Sequence, residues 1–306
     1  MKAPLLNPVL TGIATRFMAG LPLVGRRIAP IVPTQLHAAA YYIYDTSNIV
    51  DVPTNIQRAP STGFKRLKSQ LSDDTFLCKD YGIEEPIDKM ELAMYANFFA
   101  ADRSGMERAI RVVAINHEIR VRNLARTATQ TASPSVKWNA ASGTTILADI
   151  QAGKNSIRAR IGVLPNLLTL PYNVYTALRD SAEMKSYLRS ADGIVTKAQM
   201  ESILEVEIQI SGDLINTAAE GQAAAISDIW EDEAFLSYSI QSADMKSLNF
   251  ARTYNWTAAS GSGPAGISTF TYDQDEIDSR VVRARQFTDE KIAADGAGFY
   301  FSNVLS

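Results

Sequence analysis

Residues 102–129 read DRSGMERAIRVVAINHEIRVRNLARTAT. Ser104 followed three residues later by Glu107 has the form of a capping box, in which each side chain satisfies the other's free backbone N–H. From Glu107 onward neither proline nor glycine occurs before Pro134, so nothing interrupts a helix. The spacing predicts a spine helix over residues 102–129. At about 100° per residue, Met106, Ile110, Val113, His117, Val121 and Leu124 share one narrow face. Val112, Ile115 and Ile119 fall on roughly the opposite face. Glu107 with Arg111 and Glu118 with Arg122 form a charged stripe in the favourable i,i+4 order. A surface helix needs one apolar face, and this one has two. Either the helix is sandwiched within a single large domain, or a partner subunit covers the second face at Ile115 and Ile119.

The chain has 306 residues, 46% hydrophobic and 21% charged, the balance of a folded protein with ample length for a core. A net charge of −3 excludes a basic nucleic-acid binder, so any DNA contact is local or non-specific. The six arginines of the central helix, against three acids, read as a solvated surplus rather than a polyanion-binding face. One cysteine, Cys78, excludes an intramolecular disulfide and fits a reducing compartment. It sits in the strand-like Thr-Phe-Leu-Cys-Lys-Asp-Tyr, where neither His37 nor His117 neighbours it in sequence. A buried structural thiol is therefore expected. Lys2 and Leu5-Leu6 have a signal-peptide flavour, but Pro4, Asn7, Pro8 and Arg16 break the apolar run. No stretch reaches membrane-span length, and the expectation is a chain that is intracellular at synthesis.

Around the helix the chain falls into parts. Residues 1–38 make an arm broken by Pro4, Pro8, Pro22, Pro30 and Pro33, yet apolar through residues such as Leu10, Ile13 and Phe17; such an arm needs a surface to lie on. Two strands, at Ala39–Tyr44 and Phe76–Ile83, flank a long polar tip with basic residues Arg58, Lys65, Arg66 and Lys68. That is an extended hairpin, and a tip so poor in apolar residues reaches a partner rather than building a core. A second helix is expected from Ile146 to Arg160, ended by Gly162. A buried strand is expected at Leu167–Leu170, with a helix opening after Pro171. Thr196 with Gln199 caps another helix, and Val206–Ser211 is a strand. Strand-like residues flank the turn Glu231-Asp232-Glu233, so residues 165–256 read as a self-contained α/β unit. Ser279–Gln286 is a strand, Thr288-Asp289-Glu290 a turn, and Ala297–Phe301 a closing strand. The whole is α+β.

Chemistry is sparse. Gly261-Ser-Gly-Pro-Ala-Gly266 spells G-x-G-x-x-G, but a dinucleotide site needs that string between a strand and a helix, and here a strand-like Ile-Ser-Thr-Phe follows it. His117-Glu118 begins H-E-x-x-H, but Val121 stands where the second zinc ligand belongs. No convergent set of histidine, cysteine or carboxylates appears, so neither an enzyme nor a cofactor site is expected.

The order of parts resembles the major capsid proteins of tailed bacteriophages, with the Hong Kong ninety-seven-type fold. The strings that carry the likeness are Ile28-Ala-Pro-Ile-Val-Pro33, Arg58-Ala-Pro60, Cys78-Lys-Asp-Tyr-Gly-Ile-Glu-Glu-Pro86, Leu164-Pro-Asn-Leu-Leu-Thr-Leu170 and Asp228-Ile-Trp-Glu-Asp232. The resemblance implies an N-terminal arm (1–38), an extended loop lying over a neighbouring subunit (39–87), a peripheral domain (88–164, completed by 257–306) and an axial domain at capsomer centres (165–256). It implies intersubunit contacts at Phe17, Arg58, Lys65, Arg66, Lys68, Ile115 and Ile119. Copies would assemble into pentamers and hexamers of an icosahedral procapsid, then a virion shell around double-stranded DNA, inside the host bacterium. A separate scaffolding protein, a portal and a decoration protein are the expected partners besides the chain itself, with no membrane. An encapsulin-type compartment shell shares the fold and remains an alternative; an α/β enzyme built on residues 165–256 is the alternative from another class.

Overall fold

The computed structural model describes residues 5–6, 17, 20–44, 56–64, 66, 72–95, 101–187, 194–219, 221–242, 244–260 and 266–306. In the arm lie β1 (Leu5–Leu6), α1 (Gly25–Ile28) and β2 (Ile31–Thr34). An antiparallel ribbon follows, β3 (Ala38–Ile43) with β4 (Ser72–Leu77), Ala38 opposite Leu77 and Ile43 opposite Ser72. After Cys78 come β5 (Lys79–Asp88), α2 (Lys89–Tyr95) and the spine helix α3 (Ala101–Arg126). Then come β6 (Thr131–Ala132), α4 (Ile146–Ile161), β7 (Leu167–Pro171), α5 (Tyr172–Asp180), α6 (Ala182–Ser186) and α7 (Lys197–Leu204). The order continues through β8 (Glu207–Ser211), β9 (Leu214–Asn216), β10 (Ile226–Asp228) and β11 (Ala234–Ser237). It ends with β12 (Ala251–Trp256), α8 (Thr257–Ser260), β13 (Ile267–Gln274), β14 (Ser279–Ile292) and β15 (Gly298–Phe301).

Several elements have local causes. Gly162 ends α4 in the left-handed region at φ 71°, donating its N–H to the Arg158 carbonyl. Thr196 and Gln199 form the reciprocal capping box of α7. The spine helix corrects the expected boundaries. It begins at Ala101, so Ser104 lies inside it rather than at its cap, and Glu107 accepts from Arg103 at 2.8 Å instead. It ends at Arg126, because the Thr127 hydroxyl turns back onto the Leu124 carbonyl and Asp295 takes the Thr129 N–H. The expected Glu107–Arg111 and Glu118–Arg122 pairs give way to longer-range partners. Arg111 faces Asp213 at 3.8 Å, and Arg122 donates to the Ile229 carbonyl.

Two sheets organise the chain. In the first, β14 is the hub: β13 and β12 pair with it antiparallel, and so does β5 along its full ten residues. β2 extends this sheet in parallel beside β12, and β1 adds to the edge of β13. Thr288–Glu290, expected as a turn, is continuous strand paired with Thr253–Asn255. The second sheet runs β6-β15-β11-β7-β8. Its β7 is buried at every position, as its near-continuous apolar run requires. Residues 165–256 are therefore not self-contained. Their β12 belongs to the first sheet, while the second borrows β6 and β15 from outside.

The spine helix joins two cores. Met106, Ile110 and Val113 pack on Ile87, Ile267, Val282 and Ala284 of the first sheet. Val121 and Ala125 enter the main core, which gathers Trp138, Trp230, Phe235, Phe250 and Phe301 around the second sheet. Each fully buried large side chain contributes about 1.5–3 kcal/mol relative to exposure. The first apolar face is thus covered by the chain's own sheet. On the opposite face, Ile115 and Ile119 are half-covered by the main core and Val112 stays 43% exposed.

Candidate functional site

About two-thirds of the way along α3 a buried polar junction fastens three regions. Glu118, expected as a solvated member of a charged stripe, is 1% exposed. Its carboxylate accepts the backbone N–H groups of Val24 (3.3 Å) and Gly25 (2.7 Å) and the indole N–H of Trp230 (2.8 Å). The anion thus meets the first turn of α1, where unpaired N–H groups favour negative charge. Burial raises the Glu118 pKa, and these three donors oppose the rise. Only glycine fits at position 25, since a Cβ there would stand 2.7 Å from the Glu118 Oε2. Nearby Asp213 is buried and its pKa is raised by that burial, with Arg111 opposing. The Arg26 guanidinium is pushed down to about 10 by burial, against the attraction of Glu118.

One residue earlier, His117 is the hydrogen-bonded core histidine that its place on the apolar face predicts. Its Nε2 lies 3.1 Å from Thr253 Oγ1, whose own proton goes to the Ala29 carbonyl. That leaves the neutral Nε2–H tautomer as the one that satisfies both. Burial pushes His117 down to about 4; Glu290 at 3.6 Å pulls it up, and Arg120 and Arg26 push it down. Glu290 itself sits below its ordinary value. Burial acts to raise it, but a two-pronged bond from Arg120 (2.8 and 3.0 Å) and the nearby His117 outweigh the burial. The Arg120 guanidinium also stacks 3.7 Å above the Tyr81 ring.

The ribbon is rooted in a small aromatic core. Phe76 stacks on Tyr254 with ring centroids 4.3 Å apart and planes 6° from parallel, and Tyr41, Val32 and Cys78 close around them. Cys78 is buried, its thiol pushed up to about 11 first by that burial. His37 touches it through the backbone alone, the Cys78 N–H donating to the His37 carbonyl, while the His37 ring tilts against Trp256. A nucleophilic thiol needs the opposite environment.

The sequence-predicted contact residues are dispersed. Phe17 is half-buried on its own chain, beside the cluster under the spine helix. Arg58 is exposed and lies 4.8 Å above the Phe64 ring; Arg66 is exposed. Lys65 and Lys68 lie outside the described residues. Ile115 and Ile119 are half-buried. Sequence reading missed Ile56 and Phe64, 73% and 75% exposed, and Met90 and Met94, 72% and 61% exposed. It also missed the acidic turn beside the methionines, although Asp273-Gln-Asp-Glu-Ile-Asp278 was plain in the sequence. The Gly261–Gly266 string lies almost wholly outside the described residues, but α8 precedes it and β13 follows, the reverse of a dinucleotide site. Among the described residues no three histidine, cysteine or acidic side chains converge to hold a metal, and no helix is long and apolar enough to cross a membrane. What the exposed apolar and charged groups can do is bind another macromolecule.

No protein-family model matches the chain. In sequence it is 23% identical over 280 residues to the major capsid protein of Burkholderia phage BcepMu, with 86% of each chain covered. In structure it is similar to a phage-related protein from Bordetella bronchiseptica RB50, with a TM-score of 0.73, 16% identity and 99% of each chain covered. The capsid structure of cyanophage P-SCSP1u matches with a TM-score of 0.58 at 11% identity, over 91% of this chain and 87% of that one. An encapsulin complex from Synechococcus elongatus matches at 0.56 and 10% identity, over 92% and 90%. The fold is that of phage capsid proteins, as the order of parts in the sequence implied.

Proposed function

We propose that this chain, carrying the fold of tailed-phage capsid proteins, is a major capsid protein whose copies form the pentamers and hexamers of an icosahedral shell around double-stranded DNA. The observation that carries this reading is the likeness to a phage major capsid protein along most of both sequences. Its role is structural. In this reading residues 39–87 form the extended loop, 88–164 with 257–306 the peripheral domain and 165–256 the axial domain. Arg58, Lys65, Arg66, Lys68, Phe17, Ile115 and Ile119 are the proposed intersubunit contacts. The chain acts in the virion, after assembly in the host bacterial cytoplasm with a separate scaffolding protein and a portal, and it meets packaged DNA without sequence preference. A decoration protein completes the set of proposed partners.

The exposed side chains support an assembling role. Ile56, Phe64, Met90 and Met94 are large, apolar and open on the single chain, and such groups gain a cover when copies associate. A compartment shell of the encapsulin kind is the second reading, favoured by the shared fold; the sequence likeness favours the phage shell.

Negative-stain electron microscopy with light scattering tests the proposal, on the chain expressed alone and with a scaffolding protein. Regular shells or isolated five- and six-fold capsomers are expected, and DNA rather than cargo enzyme inside them separates phage from compartment. Monodisperse monomer or dimer under every condition overturns it.

A further inference from the structure

The corner where α2 meets the β13–β14 turn is unlike the rest of the surface. Asp88, the last residue of β5, pairs with Ser279 and caps α2 by accepting the Met90 N–H at 2.7 Å. Lys89 ties α2 to the turn, its N–H on the Asp278 carbonyl and its ammonium 2.7 Å from the Asp278 carboxylate and 3.7 Å from that of Asp275. Met90 and Met94 stand open one helical turn apart on α2, and Ile277 of the turn tied to it is 49% exposed. The end of β5, α2 and the turn tied to it carry six exposed carboxylates: Asp88, Glu91, Asp273, Asp275, Glu276 and Asp278. Among the described residues Lys89 is the cation ion-paired to them, while Arg280 faces Asp102 at 3.5 Å. The corner is apolar and strongly negative.

The ribbon tip has the opposite character. Among the described residues Ile56 and Phe64 are exposed apolar groups of this loop, with Arg58 over the Phe64 ring and Arg66 exposed. From Val52 to Ser72 the sequence holds no acidic residue. Within one chain the ribbon leaves β5 at its Lys79 end. The corner lies at the Asp88 end, about 30 Å along a ten-residue strand at roughly 3.3 Å per residue. Both patches are open on the single chain, so each is free for another copy.

We propose that the basic tip of one copy, through Ile56, Arg58, Phe64 and Arg66, docks on the acidic methionine corner of a second copy. This rests on the assembling role above and names where the ribbon lands. Flexible methionine side chains mould to an aromatic knob, and the opposite charges fix which surface is chosen. Tip and corner are different surfaces of the same chain, so the contact is heterologous. Repeated, it propagates from copy to copy and closes only where the rotation between copies allows.

Charge reversal tests this on the full chain, with assembly read by light scattering and electron microscopy and folding read by circular dichroism. Asp275→Lys with Glu276→Lys, and separately Arg58→Glu with Arg66→Glu, are each expected to cut shell yield at least about tenfold while leaving the fold intact. All four together restore the opposite-charge pairing and recover shells. Wild-type yield from either reversed pair, or a combined variant no better than its parents, overturns the docking. Failure of the unaltered chain to assemble at all, with or without a scaffolding protein, overturns the assembling role itself and is read before any variant is made.

Discussion

Glu118 Oε2 accepts the Gly25 N–H at 2.7 Å, linking the C-terminal half of the spine helix to an arm residue 93 positions earlier in the chain. The same carboxylate holds Trp230, so one anion pins the arm, the spine and the main core. Glu118→Ala strands three buried N–H donors and opens a cavity. Each unsatisfied donor costs about 1–3 kcal/mol, so the loss is at least about 3 kcal/mol. Glu118→Gln keeps an acceptor and loses less. Denaturant titration of both variants checks the order; equal losses contradict the hydrogen-bond account.

The His117 side chain makes stability depend on acidity. Its pKa falls from 6.5 to about 4 on folding, so below pH 6.5 the unfolded chain takes up a proton that the folded one refuses. Stability contributed by the neutral ring is therefore lost as pH drops from 6.5 toward 4, by up to about 1.4 kcal/mol per pH unit. Glu118 acts with the opposite sign, because its raised pKa favours proton uptake by the folded chain. His117→Gln should flatten the acid limb of a stability–pH curve, and Glu118→Gln should steepen it.

Removing the aromatic root should free the ribbon. Phe76 is fully buried on Tyr254, and Phe76→Ala costs about 3–5 kcal/mol. The loss is local, since Phe76 belongs to its own small core. Hydrogen exchange should speed first in Ala38–Ile43 and Ser72–Leu77, ahead of the second sheet. Uniform loss of protection would place the ribbon in the global core.

In the proposed assembly the loop adds contact rather than core. Deleting Thr54–Ser72 should leave a folded, soluble chain that forms no shells, since Ile56, Arg58, Phe64 and Arg66 are all exposed. A variant that unfolds, or that still closes shells, contradicts this.

Gly298 tests packing without backbone strain. A Cβ there would meet the Phe250 ring at 2.4 Å, in the interior strand of the second sheet. Gly298→Ala is expected to cost about 1–3 kcal/mol or more through overpacking, measured as a lowered unfolding midpoint.

Elements fixed by neighbours in sequence were legible. The Thr196–Gln199 cap, the Gly162 stop and the buried strand at Leu167–Leu170 stand where the residues place them. Elements decided by distant partners were not. Thr288-Asp289-Glu290 has turn-like composition, but Arg120 binds Glu290 and the Thr253–Asn255 backbone pairs alongside, so the segment is strand. Glu118 reads as one half of an i,i+4 ion pair until Gly25 and Trp230 arrive from 93 and 112 residues away. Of the contact residues, Arg58 and Arg66 are exposed as their basic loop suggested. Phe17 is half-buried beside the cluster under the spine helix.

Both sheets complete themselves late. The hub of the first, β14, spans Ser279–Ile292, and an interior strand of the second, β15, spans Gly298–Phe301. A nascent chain stopped at residue 278 has β5, β12 and β13 without the strand they share, and β6 without its partner β15. Strand pairings so distant in sequence form slowly. A chain made only to residue 278 can pair β7 with β8 and β11 but lacks the first sheet's hub and the second sheet's β15, so neither sheet yet offers a neighbour its complete surface.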